Sequence, residues 1–115
     1  MGSEMCIRDR IREYLDDRGR SPFGRWFDSL DAQAAARVGT SLARMQAGNL
    51  SNIKGVGGGL LEQRINVGPG YRVYFGRDGD ALIVLLGGGT KVRQQKDIED
   101  SRGLWQEYKL SLIHI

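Results

Sequence analysis

At 115 residues, with 40% hydrophobic and 27% charged residues, the chain is sized for one domain with a single core. No run approaches the roughly 18 apolar residues of a membrane helix, no signal-peptide core opens the chain, and one cysteine excludes an internal disulfide, so no membrane partner and a cytoplasmic location are expected. The net charge of +3 is uneven: residues 42–96 hold eight basic and three acidic residues, net +5 against −2 elsewhere, a basic middle suited to a polyanionic ligand.

Residues 1–10 and 110–115 read as non-native flanking segments around a single domain spanning 11–109. They hold Cys6 and His114, the chain's one cysteine and one histidine. Residues 11–15 alternate as a first strand, ended by the polar run 16–20. Ser21-Pro22 starts a short helix, with Ser21 as cap and Pro22 where a missing N–H costs nothing, and Phe23, Trp26, Phe27 and Leu30 form its apolar face. Asp31 caps a second helix over 32–47 with Val38, Leu42 and Met45 as its stripe, and Gly48-Asn49 stops it. A glycine-rich connector over 50–59 carries Lys54.

Residues 60–67 and 71–77 predict a hairpin about Gly68-Pro69-Gly70. A three-residue loop with Gly70 at positive φ sets Val67 opposite Tyr71 and Ile65 opposite Val73, which keeps both apolar sets on one face. Glu62, Arg64, Asn66, Arg72 and Tyr74 then share the other face, two guanidiniums and a phenol on a rigid surface. The plain alternative is a solvated sheet face with Arg64 and Arg72 paired to Glu62 and to carboxylates of the last helix. Asp78-Gly79 turns into a strand over 81–87 that is apolar on both faces and so central; Gly87-Gly88-Gly89 breaks it. A last helix over 95–108 turns Ile98, Trp105 and Tyr108 inward. The order β-α-α-β-β-β-α gives an α+β fold: a small, antiparallel-dominated four-stranded sheet with two N-terminal helices and one C-terminal helix.

Neither glycine triplet is followed by the Gly-Lys-Ser/Thr of a nucleotide phosphate loop, since Gly89-Thr90-Lys91 has the wrong order. Asp78, Asp80, Asp97, Glu99 and Asp100 fall at no metal-ligand spacing, so no metal and no cofactor are expected. A serine triad or a histidine-pair ribonuclease needs a histidine that the domain lacks. Any reaction must run on Arg, Lys, Tyr and Gln, groups suited to stabilising charge on a phosphodiester.

The blocks Gly48-Asn49-Leu50-Ser51-Asn52-Ile53-Lys54-Gly55-Val56-Gly57, Glu62-Gln63-Arg64-Ile65, Gly68-Pro69-Gly70-Tyr71-Arg72-Val73-Tyr74-Phe75-Gly76 and Leu85-Leu86-Gly87-Gly88-Gly89-Thr90-Lys91 carry a resemblance. Together they resemble the RelE/ParE superfamily of type II toxin–antitoxin toxins, and more narrowly its HigB-like "addiction module killer" branch, over residues 11–109. The resemblance implies a bacterial toxin that cleaves mRNA on the ribosome as a metal-independent endoribonuclease and is neutralised by an antitoxin with a helix-turn-helix domain. By similarity Arg72 matches the strand arginine of the nucleases, Arg64 falls near their strand lysines, Lys91 near the basic residue after the last strand, and Lys54 at a basic position of the branch. These four are the implied catalytic set, with Tyr74, Arg93, Gln94 and Lys96 as implied RNA contacts. The same superfamily holds ParE-like toxins that bind DNA gyrase and cleave nothing, so that reading stays open.

Overall fold

The computed structural model describes residues 10–79 and 82–113, with the backbone alone at the last two. The helix starts obey their capping chemistry. Ser21 Oγ accepts from the Gly24 N–H at 2.8 Å and Pro22 opens α1, Pro22–Asp28. Asp31 Oδ1 accepts from the Ala34 N–H at 2.8 Å and opens α2, Ala32–Gln46. Past its end, Gly48 takes φ 94°, and the N–H groups of Gly48 and Asn49 return to the carbonyls of Met45 and Arg44 at 3.0 and 2.9 Å. That pairing satisfies carbonyls the helix would otherwise leave open, and only glycine holds such a φ without strain.

The sheet has five strands in the order β1-β5-β4-β3-β2: β1 Arg10–Glu13, β2 Ile53–Gly55, β3 Leu61–Ile65, β4 Tyr71–Asp78 and β5 Leu82–Thr90. β1 runs parallel to β5 and every other pair is antiparallel, so the sheet is mixed. A 3-10 turn over Lys91–Arg93 leads into α3, Gln94–Ile113.

The α+β class stands, with three α-helices; the four-stranded sheet and the element order β-α-α-β-β-β-α do not. The added strand is β2, inside the glycine-rich connector, where Lys54 pairs opposite Glu62. Three residues ending in glycine carry too little strand character to be read alone, and β3 supplies the order. The hairpin register also differs from the expected one: Ile65, not Val67, lies opposite Tyr71. The connecting loop is residues 66–70, closed by the Gly70 N–H on the Val67 carbonyl at 3.0 Å. A slip of two residues preserves side-chain parity, so Glu62, Arg64, Arg72 and Tyr74 keep their common face, whereas Asn66 and Val67 fall in the loop. Gly87-Gly88-Gly89 does not break β5, which pairs with β4 through Thr90. A bulge opposite Tyr74/Phe75 puts Leu86 and Gly87 on the same face, and a Cβ on Gly88 would collide with the Trp26 ring. Asp80, Ala81 and the proposed flanking residues 1–9 and 114–115 lie outside the described residues.

Both faces of the sheet are covered. Phe23, Val38, Met45, Val73, Phe75 and Ile83 pack beneath α1 and α2. Leu60, Tyr74, Val84, Leu86, Ile98 and Trp105 pack beneath α3. The face expected to be solvated is therefore half of a second core. Its closeness has a cause in Gly76, where a Cβ would stand 2.6 Å from the Trp105 ring.

Candidate functional site

Register builds the site on the α3 side of the sheet. Arg64 stands opposite Arg72, and Arg72 opposite Gly89. Beside that row, Lys54 pairs opposite Glu62, and Glu62 opposite Tyr74. Two like charges across one strand pair repel. Glu62 offsets this: it is fully buried, its Oε2 lies 3.5 Å from Arg72 Nε, and Gln94 Nε2 donates to that oxygen at 2.8 Å. Arg72 Nη1 also donates to the Gly70 carbonyl at 3.3 Å, and the Lys91 N–H donates to the same oxygen at 3.1 Å. The turn thus binds the strand arginine and the basic residue after β5 to one acceptor.

Arg64, Lys54 and Lys91 are exposed around this knot, whereas Arg72 is 7% exposed. Glu62 Oε1, Arg72 Nε and the Tyr74 hydroxyl are buried without a hydrogen-bond partner. Burial first, and the neighbouring Glu62 carboxylate second, hold the Tyr74 phenol far above its ordinary pKa, so it keeps its proton. Asp97 reaches toward Gly89, where a Cβ would collide with its carboxylate, and burial raises its pKa while nearby Arg93 opposes the shift.

Of the implied catalytic set, Arg64, Arg72, Lys54 and Lys91 converge on one end of the sheet. The implied RNA contacts fare differently. Tyr74 has no exposed surface because α3 covers it, so it cannot stack on a base. The Gln94 side-chain amide is engaged by Glu62. Lys96 lies on the exposed side of α3, paired with Asp100 at 3.5 Å, and Arg93 is exposed on the turn before it. The plain alternative was right for one pair: Arg72 is matched to Glu62. Two polar residues of the β3 region escaped the sequence reading as site residues, Gln63 at 5% exposure and Asn52 at φ 65°. The only signal for Gln63 was an amide at an odd, apolar-face position of β3.

These features define an α+β protein whose sheet end gathers cations around a buried Arg–Glu pair. No protein-family model matches the chain. An uncharacterized protein of Haemophilus influenzae is 40% identical over 89 residues, covering 76% of this chain and 90% of that protein. The chain belongs to the same family as that protein.

Proposed function

We propose that the chain is a toxin of a type II toxin–antitoxin system, of the RelE/ParE superfamily and its HigB-like branch, acting as a metal-independent mRNA endonuclease on the ribosome. The observation that carries this reading is the convergence of Arg64, Arg72, Lys54 and Lys91 at one sheet end, with Arg72 and Lys91 bound through the Gly70 carbonyl. Attack by an RNA 2′-hydroxyl builds negative charge on the non-bridging oxygens of the phosphate. A planar guanidinium held on a strand answers that charge with two parallel donors, and exposed lysines bind the flanking phosphates. Arg64 is exposed and free to meet the phosphate first; Arg72 reaches it once its Glu62 pairing loosens. A cognate antitoxin with a helix-turn-helix domain would cover Arg64 and Lys91.

The burial of Arg72 against Glu62 favours a second reading, a ParE-like toxin that binds gyrase without cleaving RNA. Controlled expression in a bacterial host, with translation and plasmid supercoiling followed together, decides between them. Translation arrest with mRNA cleavage that persists when EDTA is balanced by buffered free Mg²⁺ is the expected result. Loss of supercoiling with intact mRNA would favour the gyrase reading, and normal growth would defeat both.

A further inference from the structure

A hollow of about 230 Å³ lies between α2 and the C-terminal end of β3, and it shares Arg64 with the cation cluster described above. Arg37 and Arg44 of α2 and Arg64 of β3 line it, and no carboxylate does. Among the described residues no ion pair engages any of the three. Such a concentration of one sign without a counter-charge favours an anion.

The wall of the hollow includes Gln63, which is 5% exposed. Its Nε2 donates to the Ser51 and Arg64 carbonyls at 3.4 and 3.2 Å. Because a carbonyl can only accept, these bonds fix which end of the amide is which. Oε1 is left as a buried acceptor without a partner. At the rim, Asn52 holds φ 65°, a left-handed backbone that no other non-glycine residue takes among the described ones.

We propose that this hollow is a nucleotide subsite for single-stranded RNA. The guanidiniums of Arg37, Arg44 and Arg64 take its phosphates, and Gln63 Oε1 accepts a hydrogen bond from a base N–H. The inference rests on the RNA reading above and extends it to a second binding position. Asn52, Arg64 and Asn66 line both this hollow and a second one beside Lys54. A strand held at Arg64 therefore runs into the α2 side without leaving cationic surface. An acidic peptide also combines negative charge with N–H groups. Peptide anchors, however, fill apolar pockets, and Ile65 and Val67 are the only apolar lining here.

The test is fluorescence anisotropy of a labelled hexamer of 2′-O-methyl RNA, which cannot be cleaved by 2′-hydroxyl attack, on the full chain over a range of salt. Wild type is compared with Arg37→Ala/Arg44→Ala, two exposed helix positions where alanine is the better helix former. The double variant should bind on the order of tenfold or more weakly, and its log K against log salt slope should fall by about 1.4, roughly 0.7 for each lost single-strand phosphate contact. The Gln63 side-chain amide resonances should move on adding the hexamer to wild type. Unchanged affinity and slope in the double variant overturn the subsite, as does a wild type that does not bind the hexamer. Gln63 resonances that move with poly-glutamate and not with the hexamer overturn it in favour of a protein partner. mRNA cleavage by wild type on ribosomes is measured alongside. Its absence, with hexamer binding intact and arginine-dependent, defeats the nuclease reading and supports the subsite.

Discussion

The Arg72 guanidinium and the Glu62 carboxylate depend on each other more than either depends on solvent. With Glu62 at 0% and Arg72 at 7% exposure, truncating one leaves the other charged, buried and unmatched. Breaking such a pair costs about 3–5 kcal/mol, whereas replacing both partners is often neutral. Arg72→Ala should therefore lower the urea midpoint strongly, Arg72→Met/Glu62→Gln should recover most of the loss, and the double-mutant cycle should report a large coupling. Under the nuclease proposal, a growth assay on Arg72→Ala alone would confuse lost chemistry with lost fold, so Arg72→Lys, which keeps the charge, is the informative activity variant. Additive single effects would show that the pair is not coupled. Asp97 makes the opposite case. Burial raises its carboxyl pKa despite the neighbouring Arg93 cation, so the charged form is disfavoured by folding. A raised folded pKa means stability is fully present below the unfolded value and declines as pH rises through the folded one. Asp97→Asn should thus be more stable than wild type at neutral pH, and the advantage should vanish as pH falls below the ordinary carboxylate range. Thermal midpoints at pH 3 and pH 7 check this.

Glycines set how closely the elements approach, and the two triplets do it by different means. Gly57, Gly58 and Gly59 take φ values of 97, 66 and 83°, turning the chain between β2 and β3, and Arg102 of α3 donates to the Val56 carbonyl just before them. Gly88 and Gly89 keep extended backbone and are needed for space: Trp26 of α1 occupies one face and Asp97 of α3 the other. From sequence the first triplet reads as connector and the second as a break, because a run of glycines signals freedom and is silent about a tryptophan supplied from 62 residues away. Helix starts were legible because their chemistry is local: Ser21 and Asp31 meet N–H groups three residues on. Strand faces were legible because alternation is local too. The coverage of the polar face by α3 was not, since it depends on Gly76 lying under Trp105, a contact 29 residues apart in the chain. The same gap explains the site: the strand arginines could be placed on one face, but Tyr74 could not be recognised as buried. Gly76→Ala and Gly88→Ala should each destabilise by about 1–3 kcal/mol through overpacking. Gly103→Ala, inside α3 with open space around its Cβ, should stabilise by up to about 1 kcal/mol. Chemical denaturation of the three variants separates crowding from helix propensity, and a stable Gly76→Ala would deny the tight docking of α3.

For the molecule as a whole, the sheet and the α3 layer are joined at the C-terminal half of α3 by two phenols. Tyr14, just after β1, donates to Glu107 Oε1 at 3.0 Å, and Tyr108 donates to Asp78 Oδ2 at 2.6 Å near the end of β4. One bond ties α3 to the parallel edge of the sheet and the other to its antiparallel centre. Each acceptor is a carboxylate, so the phenol must stay protonated to make the bond, and burial followed by the bonded carboxylate pushes both phenols up to about 12. The folded pKa lies above the unfolded one, near 10. Protonation therefore favours the folded state: the contribution is intact below about pH 10 and is lost as pH rises through about 12. Stability should be level on the alkaline side to about pH 10 and then fall. Tyr14→Phe and Tyr108→Phe should each lower stability by about 1 kcal/mol or less at neutral pH, since both sites are partly solvated. In the double variant the difference from wild type should shrink between pH 10 and 12, because the replaced phenols no longer titrate. Hydrogen exchange gives the spatial check. Amides of α3 near Tyr108 should lose protection in the double variant ahead of those near Ile98, which Trp105 and the Glu62–Gln94 bond continue to hold. Uniform loss along α3 would mean that the helix detaches as one unit and that the two phenols do not act as a local clamp.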